Sequence, residues 1–425
     1  MKKTLMQLAQ EEEQNYSSPI VAAKINGEVR DIQSEYDHDD EISFIELNTS
    51  LGWRIYQRSI LFLFIVAVSN MNKEAEVVAK FTVNKGLYCE VKIPGKPINV
   101  HLIHDIEQEM REMIANNTPI VKHSIPRQEA IELFQAHGKR GKAALIASLP
   151  HPMISIYTCR NYPDYLYGAM LPETKLLGQF ALDVEQSGVL IRTPDEMTDG
   201  KIRTRVEQPK FGHILSEAKE WAKILECPYI SDLNQINNEH RMGELIRISE
   251  ALQEKRIAQI ADHIASHRNN IRLILIAGPS SSGKTSFAQR LQIQLRVNGL
   301  HPIMISLDDY FLNREDTPRN EKGEYDYESI DAIDTALFNQ NMLELLNGHK
   351  VQIPYYNFIS GRREWRDDNF LLLKEDQPII IEGIHGLNER LTADIARKNK
   401  YKIYISALTQ LNIDAHNRIP TSFAM

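Results

Sequence analysis

The stretch Gly278-Pro-Ser-Ser-Ser-Gly-Lys-Thr-Ser286 fits G-x-x-x-x-G-K-[ST], with Gly278, Gly283, Lys284 and Thr285 at the defining positions. Residues of these types at this spacing bind a polyphosphate. Backbone N–H groups of a glycine-rich turn and the positive end of the following helix converge on one anion. Ser280, Ser281, Ser282, Gly283 and Ser286 complete the cradle, Lys284 reaches the β- and γ-phosphates, and the Thr285 hydroxyl ligates Mg²⁺. A nucleoside triphosphate and Mg²⁺ are therefore expected, and the loop by itself fits an ATPase, a GTPase or a kinase. Two further acidic positions fit such a site: Asp308-Asp309 and Glu382. Mg²⁺ is held by one or two carboxylates plus phosphates, which suits Glu382 on the metal side. A carboxylate beside the γ-phosphate can take the proton from an attacking hydroxyl, which suits Asp308 as base. Asp309 is as readily a helix cap as a functional group.

The surrounding elements must aim these groups. Ile271-Arg-Leu-Ile-Leu-Ile-Ala277 reads as a buried parallel strand leading into the turn, and Phe287, Leu291 and Leu295 mark one face of the helix after it. Further strands are expected at His301–Ser306, Pro378–Gly383 and Lys402–Ser406, with helices between them. Alternating strands and helices predict an α/β unit with a mostly parallel sheet covered on both faces. Ligands gather at the carboxyl ends of such strands, where Asp308 and Glu382 fall.

Ahead of this unit, Ile25-Asn-Gly-Glu-Val29 predicts a hairpin within a small β-rich module over residues 1–50. Residues 98–114 hold helical spacing; their His101 and His104 read as a solvated face, because no third ligand cluster follows at usable spacing. Residues 140–210 mix short apolar runs with prolines and glycines, an α+β pattern. A helix from Met242 to about His267 predicts the boundary, so the expected division is 1–50, 51–240, a helical linker over 241–270, and 271–425.

Composition narrows the class. The 425 residues are 42% hydrophobic and 25% charged, ordinary for a globular protein, and the net charge of −8 argues against a general nucleic-acid coat. Cys89, Cys159 and Cys227 form no C-x-x-C pair, which suits a reducing, cytoplasmic setting. The longest apolar run, Ile60–Val68, is short of the about twenty residues a membrane helix needs and reads as core; no export signal is read in the first residues.

Five ordered motifs carry a resemblance. These are Gly278–Ser286, Ser306-Leu-Asp-Asp-Tyr-Phe311, Tyr325–Asp334, Ile353-Pro-Tyr-Tyr-Asn-Phe358 and Ile381-Glu-Gly-Ile-His385. Residues 271 to about 420 resemble the uridine kinase and phosphoribulokinase family of P-loop kinases. The resemblance implies a P-loop NTPase sheet, Asp308 as catalytic aspartate, and Asp326 as the residue that binds the ribose hydroxyls. It also implies Tyr356 and Phe358 as aromatics beside the base, and Arg362 or Arg363 as the basic residue after them. Asn357 stands where the family usually has aspartate. Family members continue past Asp414–Pro420 into an arginine-rich lid, and with Thr421–Met425 in that place the lid is expected to be truncated.

The front half carries a second resemblance. Ile20–Asp31 is similar to part of a TGS domain, a β-grasp module, and Gly52 to about Pro209 is similar to the α+β editing region of threonyl-tRNA synthetases. Arg58 and Phe62 stand where that family has its H-x-x-x-H pair, and Leu177-Gly178-Gln179 near its later element, so neither metal binding nor editing chemistry is expected.

The function expected is phosphoryl transfer from ATP to the 5′-hydroxyl of a pyrimidine nucleoside, with Lys284 and Asp308 catalytic. A kinase for a sugar phosphate or pantothenate, or a nucleotide-sensing RNA-binding regulator, are the alternatives. The expected partners are the nucleoside and further copies of the chain in a homo-oligomer, with no membrane, and with RNA not favoured.

Overall fold

The computed structural model describes residues 4–83, 86–185, 188–198, 200–202, 204–205, 220–406 and 411–419. The ends of two sequence segments named above, Pro209 and Pro420 to Met425, lie outside them. The chain divides into two compact units, 1–242 with 409–423, and 243–408 with the last two residues.

The front unit begins with α1 (Leu5–Glu12), which packs Leu5 and Ala9 on the antiparallel sheet of β1 (Ile20–Ile25), β2 (Glu28–Asp31) and β3 (Ile42–Glu46), in the order β2-β1-β3. Asn26 and Gly27, both at positive φ, form the two-residue turn read from the sequence. Next come α2 (Ser50–Met71), β4 (Glu76–Val83), β5 (Gly86–Lys92) and α3 (Val100–Ala115). They are followed by β6 (Ile120–Pro126), α4 (Arg127–Ala136), α5 (Arg140–Ser148), β7 (Met153–Cys159) and β8 (Tyr162–Asp164). The unit closes with β9 (Ala181–Glu185), β10 (Gly188–Arg192) and α6 (Ile230–Asn238).

The nine-residue run Ile60–Val68 sits inside the 22-residue α2, which is long and apolar enough by composition to cross a membrane. The flanking Arg54-to-Ser59 stretch hid this length in the sequence, because its polar residues break the run without breaking the helix. Within the unit 78% of its most apolar window is buried, packed with α3 against the sheet β4-β5-β10-β9. His101 and His104 are both exposed on α3, as a solvated face requires.

The second unit takes all but the first residue of α7 (Met242–Ser266), followed by β11 (Leu273–Ala277), α8 (Lys284–Val297) and β12 (Ile303–Ser306). It continues through α9 (Thr335–Leu346), β13 (Val351–Gln352), β14 (Tyr355–Asn357), β15 (Arg362–Glu364) and β16 (Phe370–Leu371) to β17 (Ile379–Glu382) and β18 (Lys400–Tyr404). The order β12-β17-β11-β18 is parallel throughout. Side chains alternate across the sheet. Leu273, Leu275, Ile379 and Ile381 face Phe338, Met342 and Leu345 of α9, while Ile274, Ile276 and Ile380 face Ala288, Leu291 and Leu295 of α8 and Ile257, Ala261 and Ile264 of α7. Both faces of the sheet are thus covered, which explains why these strands read as unbroken apolar runs. The carboxyl-terminal half of α7 is a layer of this unit's core.

Candidate active site

The turn Gly278–Gly283 leaves β11 and enters α8 with Gly283 at φ +84° in the left-handed region, a cost glycine avoids. Gly278 is required for a different reason: a Cβ there would overlap the carbonyl oxygen of Ile405. The turn therefore runs against the backbone that follows β18, tied by the Ile405 amide donating to Ala277 O at 2.7 Å.

Inside the turn, Lys284 Nζ donates to Pro279 O at 2.8 Å, folded back on the loop it would leave to meet a phosphate. Ser282 Oγ is buried and, among the described residues, has no hydrogen-bond partner. A buried hydroxyl without a partner is uncommon and suits a site completed by an anion. Thr285 Oγ1 donates to Glu382 Oε1 at 3.2 Å, so the hydroxyl and carboxylate suited to Mg²⁺ already meet. An all-oxygen pair beside a phosphate cradle fits that ion.

Asp308 and Asp309 lie on the 3₁₀ turn Leu307–Tyr310 directly after β12, which Ser306 Oγ caps by accepting from the Asp308 amide at 3.3 Å. Since β12, β17 and β11 are adjacent, Asp308, Glu382 and the turn share one end of the sheet. Burial pushes the Asp308 carboxyl up, opposed by Lys284 and His385. Burial likewise pushes Glu382 up, opposed by the Thr285 hydrogen bond and reinforced by Asp308. Desolvated carboxylates beside one lysine are the electrostatic signature of a functional cleft.

Asp309 turns out to do other work than capping. Its Oδ1 accepts from the Tyr356 amide at 3.3 Å, which fastens the β14–β15 ribbon to the turn that carries Asp308. On that ribbon Tyr356 is buried and Phe358 is 61% exposed, with ring centroids 5.0 Å apart. Phe311 lies 5.6 Å from Tyr356 and 6.5 Å from Phe358, and Tyr327 lies 5.9 Å from Phe311. Sequence reading gave no role to Phe311 or Tyr327; their place inside quoted motifs was the only signal. The Tyr356 hydroxyl is buried without a partner among the described residues.

Asp326 Oδ1 accepts from the amides of Glu328 and Ser329 at 3.1 Å each, an Asx turn. His385, also without an assigned role from sequence, adjoins both carboxylates. Burial lowers its pKa, opposed by the Ser329 backbone and by Asp308 and Asp326, and its Nε2 is buried and unpartnered among the described residues. Arg362 reaches Glu315 at 3.4 Å in an exposed pair, whereas Arg363 is bound to Asp334 at 2.8 Å. Of the two arginines, Arg362 is the one less firmly held.

In the front unit, Arg58 on α2 donates to Ala169 O at 2.5 Å, and the Phe62 ring packs 6.4 Å from Tyr162. Leu177 is buried, and Gln179 exchanges hydrogen bonds with Tyr56 OH through its backbone. Cys159 is buried and its thiol is pushed up to about 11 by desolvation, so it is no ready thiolate.

The two halves of the chain are similar to different known proteins. The front half is similar to threonine–tRNA ligases: that of Methylococcus capsulatus is 25% identical over 224 residues, 52% of this chain and 34% of the ligase. That of Francisella tularensis subsp. novicida is 28% identical over 162 residues, 38% of this chain and 25% of the ligase. The chain spans about a quarter to a third of the length of these relatives. A structure described as a possible uridine kinase from Bacillus stearothermophilus aligns at 21% identity and a TM-score of 0.28, over 34% of this chain and 78% of that one. Residues 273–419 match the model of the Phosphoribulokinase / Uridine kinase family, and it is this stretch that holds the phosphate turn, the desolvated carboxylates and the aromatic ribbon.

Proposed function

We propose that the chain is a P-loop kinase that transfers the γ-phosphoryl group of ATP to the 5′-hydroxyl of a pyrimidine nucleoside. The observation that carries this reading is the single 3₁₀ turn after β12. One of its aspartates, Asp308, faces the lysine and carboxylate of the phosphate site, and the next, Asp309, holds the aromatic ribbon. Phosphate end and acceptor end are therefore built on adjacent residues.

In this reading the backbone N–H groups of residues 280–285 and Lys284 orient the triphosphate, and Lys284 exchanges Pro279 O for a phosphate oxygen. Thr285 and Glu382 would hold Mg²⁺, which would supply charge neutralisation on the transferring phosphates. Asp308 accepts the proton of the attacking hydroxyl; its raised pKa brings it closer to the acidity such a base needs. Tyr356 and Phe358 give a flat base its stacking surface, and the free oxygen of Asp326 accepts from a ribose hydroxyl. The aromatic ribbon of Tyr356 and Phe358 supports a nucleoside over a sugar phosphate, which would call for more basic residues there.

A panel of nucleosides, a sugar phosphate and pantothenate, each with ATP and Mg²⁺, tests the reading. It should be run on this chain and on its Lys284→Ala variant. A pyrimidine nucleoside 5′-monophosphate is the expected product. Exclusive transfer to another acceptor would replace the reading, and RNA binding without ATP consumption would favour the regulator.

A further inference from the structure

Residues 411–419 lie within the stretch that matches the kinase family, yet in the structure they count with the front unit. We propose that the front unit carries a recognition site for this segment, and that the segment is a latch docked in it by polar contacts. The proposal does not depend on which acceptor the kinase uses.

The contact begins in the backbone. Asn412 donates to Pro228 O at 3.2 Å and accepts from the Ile230 amide at 2.9 Å, while Ala415 O accepts from the Ala79 amide at 2.8 Å on β4. Asn412 Nδ2 also donates to Ala79 O at 2.8 Å. The loop then folds on Asp414, whose Oδ1 accepts from the amides of His416 and Asn417 and whose Oδ2 accepts from Asn417 Nδ2. Asn417 in turn bridges to the front unit, donating to Tyr165 O at 2.8 Å and accepting from the Tyr167 amide at 2.9 Å.

Charge completes the fit. Lys142 and Asp164 form a buried ion pair, and Lys139 lies close by. The docked segment adds the Asp414 carboxylate, 3.8 Å from Lys142, and the His416 ring, 2.5 Å from Asp164. In this cluster Lys139, Lys142 and Asp164 leave one positive charge, and Asp414 balances it.

Asn412, Asp414, His416 and Asn417 are all more than nine-tenths buried, and each is hydrogen-bonded. Burying four polar residues is costly unless every one finds a partner, so the segment is held by specificity of fit more than by apolar area. Contacts of that polar kind mark separable interfaces rather than cores.

Amide-resolved hydrogen exchange on the whole chain tests this, because Ala79 and Ile230 donate to the segment and report docking from the other side. The wild type should protect both amides. Asp414→Ala and Asn417→Ala, each on the segment, should lower that protection about tenfold or more while the α2 and β11 amides stay as in the wild type. Unprotected Ala79 and Ile230 in the wild type, or protection unmoved by both variants, would overturn the proposal. Loss of α2 protection in both variants would also overturn it, since the segment would then be part of the core and not a latch.

Discussion

Two glycines of the phosphate turn fail differently when given a methyl group, and the difference tests the geometry of the site. At Gly278 a Cβ would overlap Ile405 O and stand 2.8 Å from Ser282 Oγ, whereas real Cβ atoms keep beyond 3.0 Å. The serine can rotate away. The Ile405 carbonyl cannot easily do so, because the amide of the same residue is bonded to Ala277 O. Relief requires a backbone shift on the order of 1 Å between the turn and the segment after β18, and overpacking of that kind costs about 1–3 kcal/mol. At Gly283 nothing lies within 4 Å of an added Cβ, so only the left-handed backbone at φ +84° is penalised, by about 1–2 kcal/mol. Gly278→Ala should therefore open β11 more and weaken ATP binding through a displaced turn, while Gly283→Ala should act by strain alone. With two units in the chain a single melting curve is a poor reporter, so native-state exchange of the Leu273–Ala277 amides is the better assay, with nucleotide binding measured alongside. Wild-type exchange and ATP affinity in Gly278→Ala would refute the reasoning, as would a larger opening of β11 in Gly283→Ala.

Asp308→Asn should leave both units folded and lower turnover about 10²–10⁴-fold, measured as nucleotide product with ATP and Mg²⁺. Unchanged turnover would remove Asp308 from the base role. Because burial raises the Asp308 carboxyl, the acid limb of the wild-type rate should lie above the ordinary carboxylate range, activity growing as Asp308 ionises. Glu382→Gln should stabilise the second unit at neutral pH while weakening Mg²⁺-dependent turnover. A folded-state pKa raised by desolvation means that the folded form holds its proton better, so its stability contribution is present below the unfolded pKa and lost as pH rises through the folded one. Urea titrations should show the advantage of Glu382→Gln shrinking toward low pH; a constant advantage would contradict the sign. Tyr356→Phe should stabilise the ligand-free unit by about 1 kcal/mol by removing a buried unpartnered hydroxyl, and raise KM if that hydroxyl meets the base.

The second unit was legible because its signals are local. A strand, a glycine-rich turn and a helix in succession specify a phosphate cradle, and apolar strands between helices specify a covered parallel sheet. Each of the four strands of the parallel sheet was found within about two residues of its expected position, whereas the short β13–β16 were not expected as strands. What the sequence did not disclose depends on contacts between distant residues. Nothing local says that Asp309 holds Tyr356, that Phe311 and Tyr327 join the ring cluster, or that His385 lies by Asp308 and Asp326. The same holds for α2, where Arg58 inside a buried helix donates to a carbonyl 111 residues away and has the charge of Asp31 nearby. The placement of residues 411–419 was hidden for the same reason: Asn412 and Ala79 are 333 residues apart.

In the proposed function one turn, Leu307–Tyr310, joins the phosphate site to an acceptor site for a nucleoside. The most direct test of this reading follows the γ-phosphoryl group of labelled ATP into a pyrimidine nucleoside in the presence of Mg²⁺, comparing this chain with its Lys284→Ala variant. Label in the 5′-monophosphate, lost in Lys284→Ala, is the predicted result. Label released only as inorganic phosphate, or carried to a sugar phosphate or pantothenate with every nucleoside unlabelled, would contradict it.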